Sequence, residues 1–131
     1  MLDCIIIGDS IAVGAHMIYT ECEAYAKNGI NSKQWNIAWP VLSSDAAKTV
    51  ISLGSNDFGI NTKEELEVVR SKIKSGKVYW VLPKKVDSNA AVREVAKSHG
   101  DTIIEMTNMQ PDNIHPTYLG YANIVKKVKE D

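Results

Sequence analysis

The stretch Ile5-Ile6-Ile7-Gly8-Asp9-Ser10 places a hydroxyl where a buried apolar run stops. A serine hydroxyl is a poor nucleophile at its own pKa and needs an adjacent base. Three histidines could supply one: His16, His99 and His115. Asp112 stands three residues before His115. That spacing lets its carboxylate reach the imidazole Nδ1–H, fix the tautomer and steady the imidazolium that forms. Ser10 as nucleophile, His115 as base and Asp112 as orienter would together support acyl transfer. The reaction also needs donors for the oxyanion of a tetrahedral intermediate. The candidates are the Ser10 backbone N–H, unpaired at a helix N-terminus, the Gly29 backbone N–H in an unobstructed loop, and the Asn56 side-chain amide.

The elements that must bring these residues together are read from apolar patterning. Strands are expected over Leu2 to Ile7, Glu21 to Ala26, Thr49 to Leu53, Lys77 to Leu82 and Thr102 to Met106. The apolar runs suit strands covered on both faces. A short helix is expected over 11–20. A second starts at a capping box of Thr62 and Glu65, turns Leu66, Val69 and Ile73 inward, and ends at Gly76. Ser88 is expected to cap a third, which ends at Gly100. A fourth runs from about Thr117 to Lys129, with Tyr118, Tyr121, Ala122, Val125 and Val128 on one stripe. Residues 30–44 show no regular pattern.

Strands alternating with helices imply an α/β fold: a three-layer α/β/α sandwich around a five-stranded parallel sheet, in the flavodoxin-like order 2-1-3-4-5. Ligands of such sheets bind beyond the carboxyl ends of the strands. The loops that follow strands are 8–11, 27–43, 54–61, 83–87 and 107–116. They carry Ser10, Gly29, Asn56, Asp112 and His115. The helix bearing His16 leads away from this edge. His99 ends a helix that returns to the opposite end of the sheet. Only His115 can face Ser10. Each residue also has a plainer reading: Ser10 as a helix N-cap, the others as turn residues.

These residues, in this order, are similar to the SGNH hydrolases, the group that includes the GDSL esterases and lipases. The four blocks are Ser10 in "GDSIAVG", Gly29 in "AKNGI", Asn56 in "LGSNDF" and His115 in "PDNIHPTYLGYANI". The likeness runs from residue 5 to about 125, and Gly29 rests mainly on order and position. It implies one hydrolase domain over 1–131 and hydrolysis of an ester or thioester by Ser10, His115 and Asp112. It also implies an oxyanion hole of Ser10, Gly29 and Asn56, with no metal and no cofactor.

Short loops at the reactive edge favour small acyl groups such as acetyl, on a small-molecule or carbohydrate ester. Candidate substrate contacts are Asp9, Trp35, Trp39 and Phe58. The two tryptophans either wall the substrate or cover the edge of the sheet. Trp80, inside a strand, is expected in the core. Lys84 and Lys85 follow the fourth strand and could meet an anionic substrate.

A formal net charge of −1 over 131 residues leaves no electrostatic footprint for nucleic acid or an anionic membrane. Lys126, Lys127 and Lys129 read as a solvated helix face. Cys4 and Cys22 are expected as two buried free thiols. Residues 1–8 are too short for a signal peptide, and no apolar run nears the about 18 residues of a membrane span. A cytoplasmic location follows as the expectation; the oligomeric state is left open. A thioesterase or acyltransferase on the same machinery is the alternative within acyl chemistry. Outside it stand a binding module with an idle triad and a phosphate- or flavin-binding protein. Against the last, no G-x-G-x-x-G or G-x-x-x-x-G-K-[ST] loop occurs.

Overall fold

The computed structural model of the chain describes residues 3–131. Five parallel strands lie in the order β2-β1-β3-β4-β5. They are β1 (Cys4–Gly8), β2 (Glu23–Ala26), β3 (Lys48–Ser52), β4 (Lys77–Leu82) and β5 (Thr102–Glu105). The expected strands are present within two residues at each end; Leu2, at the start of the first, lies outside the described residues. Four helices connect them, α1 (Ser10–Ile18), α2 (Ser32–Ala38), α3 (Thr62–Ser71) and α4 (Val86–His99), and α5 (Tyr118–Glu130) follows β5.

The central strand β1 shows how the sequence builds three layers. Successive side chains of a strand point to opposite faces. Ile5 and Ile7 join Ile51, Trp80, Leu82, Leu66, Val69 and Val92 in the core beneath α2, α3 and α4. Ile6 joins Val50, Tyr79, Val81, Ile11, Ile124, Val125 and Val128 beneath α1 and α5. Trp80 is fully buried, as expected.

Several local expectations are corrected. Residues 30–44 contain a helix, α2, opened by a capping box: the Asn31 side chain accepts from the Gln34 N–H, and the Gln34 side chain accepts from the Asn31 N–H. The cap of α3 is Asn61, one residue before Thr62, and that helix ends at Ser71 rather than Gly76. Ser88 is no cap. It lies inside α4, buried, and its hydroxyl donates to the Gly54 carbonyl at 2.7 Å, tying the helix to the loop after β3. On α5 the buried stripe is Gly120, Ile124, Val125 and Val128, while Tyr118 at the first turn is exposed.

Cys4 and Cys22 are not free thiols but a disulfide, with Cα atoms 4.8 Å apart. Cys4 opens β1, and Cys22 directly precedes β2, its neighbour in the sheet. Parallel pairing sets their backbones within bridging range. Among the described residues, no helix is long and apolar enough to cross a membrane.

Candidate active site

The site begins with a tight approach at the end of β1. Gly8 has φ of +143°, and a Cβ placed on it would lie 1.9 Å from the Ser52 carbonyl oxygen on β3. The missing side chain lets the backbone turn sharply, and the next N–H, that of Asp9, donates to the same Ser52 carbonyl at 2.9 Å. Ser10 is thereby the first residue of α1, at the carboxyl edge of the sheet.

Ser10 does not cap this helix. Asp9 does: its Oδ1 accepts the Ile11 N–H at 3.0 Å and the Ser52 hydroxyl at 3.2 Å. That leaves the Ser10 hydroxyl available, and it lies 2.8 Å from His115 Nε2. On the other side of the ring, His115 Nδ1 lies 2.8 Å from Asp112 Oδ2. Asp112 also serves as a turn residue, since its Oδ1 accepts the N–H groups of Ile114 and His115. These hydrogen bonds, the one from His115 Nδ1 foremost, hold the Asp112 carboxyl down at about 2. It therefore stays ionised through the ordinary pH range, keeping the tautomer that points a bare Nε2 at Ser10.

The loop carrying His115 is pinned by its own backbone. Gln110 N–H donates to the His115 carbonyl at 2.8 Å, and Thr117 N–H donates to the Asn108 carbonyl at 2.8 Å. Thr117 then caps α5, its side chain accepting from the Gly120 N–H.

Gly29 and Asn56 reach the same place. An open groove of about 570 Å³ is lined by Ser10, Val13, Gly14, Met17, Asn28, Gly29, Asn56, His115 and Tyr121. Gly29 has φ of +78°, within the left-handed turn of residues 27–30. Asn56 donates one amide hydrogen to the Ile30 carbonyl at 3.0 Å, which ties the loop after β3 to the Gly29 turn. A second amide hydrogen remains for other work.

A residue that sequence reasoning passed over strengthens this tie. Asp57 is buried and accepts from both the Ser32 N–H, at 2.9 Å, and the Ser32 hydroxyl, at 2.5 Å. Its carboxylate clamps the first turn of α2 and so ties the two loops together. The only signal was its place beside Asn56, where it reads as turn chemistry.

The other two histidines stand apart. His16 Nε2 donates to the Cys22 carbonyl at 2.9 Å, and His99 Nε2 lies 3.0 Å from a Glu67 carboxylate oxygen.

The expected substrate contacts fare differently. Trp35 is fully buried and donates its ring N–H to the Tyr25 carbonyl, so it is core and not a wall of the groove. Trp39 is half-buried against Trp35 and Tyr25 and does not line the groove. Phe58 is 73% exposed but faces a second hollow beyond Asp112. Asp9 is fully buried and cannot touch a substrate. The physical reason is its capping role, which draws the carboxylate inward.

That burial has a measurable consequence. Asp9 Oδ2 has no hydrogen-bond partner, and burial pushes the carboxyl up from its ordinary 3.8 to about 6. An acid whose pKa rises on folding binds its proton more tightly in the folded chain. Between 3.8 and about 6, stability is therefore lost as pH rises, and above that it stays lost. A difference of this size corresponds to roughly 3 kcal/mol. Asp9→Asn should thus raise the urea midpoint, relative to the native chain, more at pH 8 than at pH 5. An equal difference at both values would show that folding does not raise the Asp9 pKa.

The fold is shared with solved proteins. The chain matches a proposed acylhydrolase from Bacteroides fragilis with a TM-score of 0.68 and 16% identity, over 97% of this chain and 84% of the other. It also matches the C-terminal catalytic domain of peptidoglycan O-acetyltransferase A from Streptococcus pneumoniae, whose structure carries a methylsulfonyl adduct. There the TM-score is 0.64 and the identity 19%, over 97% of this chain and 92% of that domain. No protein-family model matches the chain, and no curated protein matches it.

Proposed function

We propose that the chain is a single-domain serine esterase of the SGNH type that cleaves small acyl esters. The observation that carries this reading is the unbroken hydrogen-bonded chain from Ser10 through His115 to Asp112. In the proposed reaction His115 Nε2 takes the Ser10 proton as Oγ attacks the ester carbonyl. The Ser10 and Gly29 N–H groups and the Asn56 amide receive the oxyanion. His115 then returns its proton to the departing alcohol, leaving an acyl-Ser10 intermediate. Water, deprotonated by the same imidazole, attacks that acyl group. The acyl–Oγ bond then breaks, His115 returns its proton to Oγ, and the free acid leaves. Asp112, already ionised, stabilises the imidazolium in both halves.

The groove bordered by Met17, Val13 and Gly14 is open and shallow, which supports acetyl over long chains. p-Nitrophenyl esters of increasing length test this. The expected result is highest kcat/KM for the acetyl ester; faster turnover of the dodecanoyl ester would reject the small-acyl reading, and turnover of none would reject the esterase.

A second reading is an acyltransferase on the same residues. An exposed site lets an alcohol take the place of water, and one fold neighbour is an O-acetyltransferase domain. The substrate is read as a small-molecule or carbohydrate ester, with no nucleic acid or membrane partner. On location, the Cys4–Cys22 disulfide favours an oxidising compartment over the cytoplasm expected from the sequence.

A further inference from the structure

Beside Asp112 lies a second hollow of about 280 Å³ that shares no lining residue with the Ser10 groove. Its walls include Phe58, Lys84, Lys85, Ile114 and Asp112. Nothing in the proposed reaction uses the two lysines. Lys85 Nζ sits 4.9 Å over the Phe58 ring, and Lys84 Nζ reaches only the Met106 carbonyl, at 3.4 Å. Among the described residues, neither ammonium lies within ion-pair distance of a carboxylate. The one carboxylate in the hollow, Asp112, is already engaged by His115 and two backbone N–H groups. The hollow therefore carries two ammonium groups against one carboxylate, a net positive charge. Two apolar side chains, Phe58 and Ile114, stand beside them, 73% and 44% exposed.

Asp112, on the Nδ1 side of His115, lines the hollow and relates it to one part of an ester. His115 must give its proton to the departing oxygen, so the alcohol portion leaves on the imidazole side. The acyl portion and its oxyanion lie on the other, toward Gly29 and Asn56. A group long enough to extend from the departing oxygen past His115 and Asp112 would meet Lys84 and Lys85, which line the hollow with Asp112. The volume suits about nine waters, enough for one ring with a charged substituent.

Resting on the esterase reading above, we infer that this hollow binds the alcohol portion of the substrate and selects one that carries a carboxylate on a ring. The ring packs on Phe58 and Ile114, and the carboxylate meets the two ammonium groups.

The test compares 4-acetoxybenzoate with its neutral methyl ester, in the native chain and in a Lys84→Gln/Lys85→Gln double variant. The readout is the ratio of kcat/KM for the anionic over the neutral ester. Loss of two partly exposed charge contacts should lower that ratio about tenfold. A ratio that stays the same within about twofold overturns the proposal. The same comparison with monophenyl succinate, whose charge lies on the acyl side, should show little change; an equal fall there would move the anion to the wrong portion and also overturn it. Failure of the esterase reading is told apart by binding. Titration with 4-hydroxybenzoate, followed by amide NMR shifts, should perturb Phe58, Lys85 and Ile114 in the native chain and not in the double variant, whether or not any ester turns over. No perturbation at those residues would sink the site by itself.

Discussion

Ser10→Ala and His115→Ala should each lower hydrolysis of p-nitrophenyl acetate by about 10,000-fold or more. The size follows from what each change removes. Without Oγ no acyl intermediate can form, and any residual rate comes from water attacking a bound ester. Without the imidazole the hydroxyl keeps its proton, because no other base is in reach: His16 and His99 are tied elsewhere. The two losses should not add. A double variant should be about as slow as either single one, because the residues act as a unit. Both variants should fold normally, since Ser10 does not cap α1 and His115 is held by its backbone. Turnover within about tenfold of the native chain in either variant would remove the triad from the account.

Gly8→Ala should prevent stable folding rather than reduce activity alone. The new methyl would sit 1.9 Å from the Ser52 carbonyl oxygen, a backbone atom in the centre of the sheet that cannot swing aside. The backbone there also has φ of +143°, which residues with a Cβ rarely adopt. Relief would require β1 and β3 to separate, which breaks the Asp9 N–H bond to Ser52 and the turn that presents Ser10. Steric overlap of this kind belongs among the rare changes costing more than about 4 kcal/mol. Circular dichroism and urea unfolding would measure it; a midpoint equal to that of the native chain would mean that the strand pair is looser than described.

Much of this arrangement could be read from residue types and spacing. Buried runs such as Ile5 to Ile7 and Val78 to Leu82 suit strands covered on both faces, and the alternation with helices implies the parallel order. From that order alone, Ser10 and His115 fall on one edge while His99 falls on the other. What could not be read depends on contacts between distant residues. Cys4 and Cys22 pair because β1 and β2 are neighbours, which neither cysteine signals locally. Trp35 looks like a surface aromatic until α2 folds onto the sheet and buries it. Asp9 resembles a substrate contact until its carboxylate turns inward to cap α1. Asn31 and Gln34 did carry a capping signal, but the helix they open has only seven residues and no clear apolar stripe of its own. Ser88 looks like a cap by type, yet its hydroxyl serves the Gly54 carbonyl across the layer.

The central claim is that His115 and the carboxylate behind it make the Ser10 hydroxyl nucleophilic. Exposure to a fluorophosphonate, followed by intact mass and peptide mapping, reads this without knowledge of the natural substrate. The expected result is one adduct per chain, on Ser10, that is absent in the His115→Ala variant. An unlabelled native chain, or an adduct on any other residue, would contradict it.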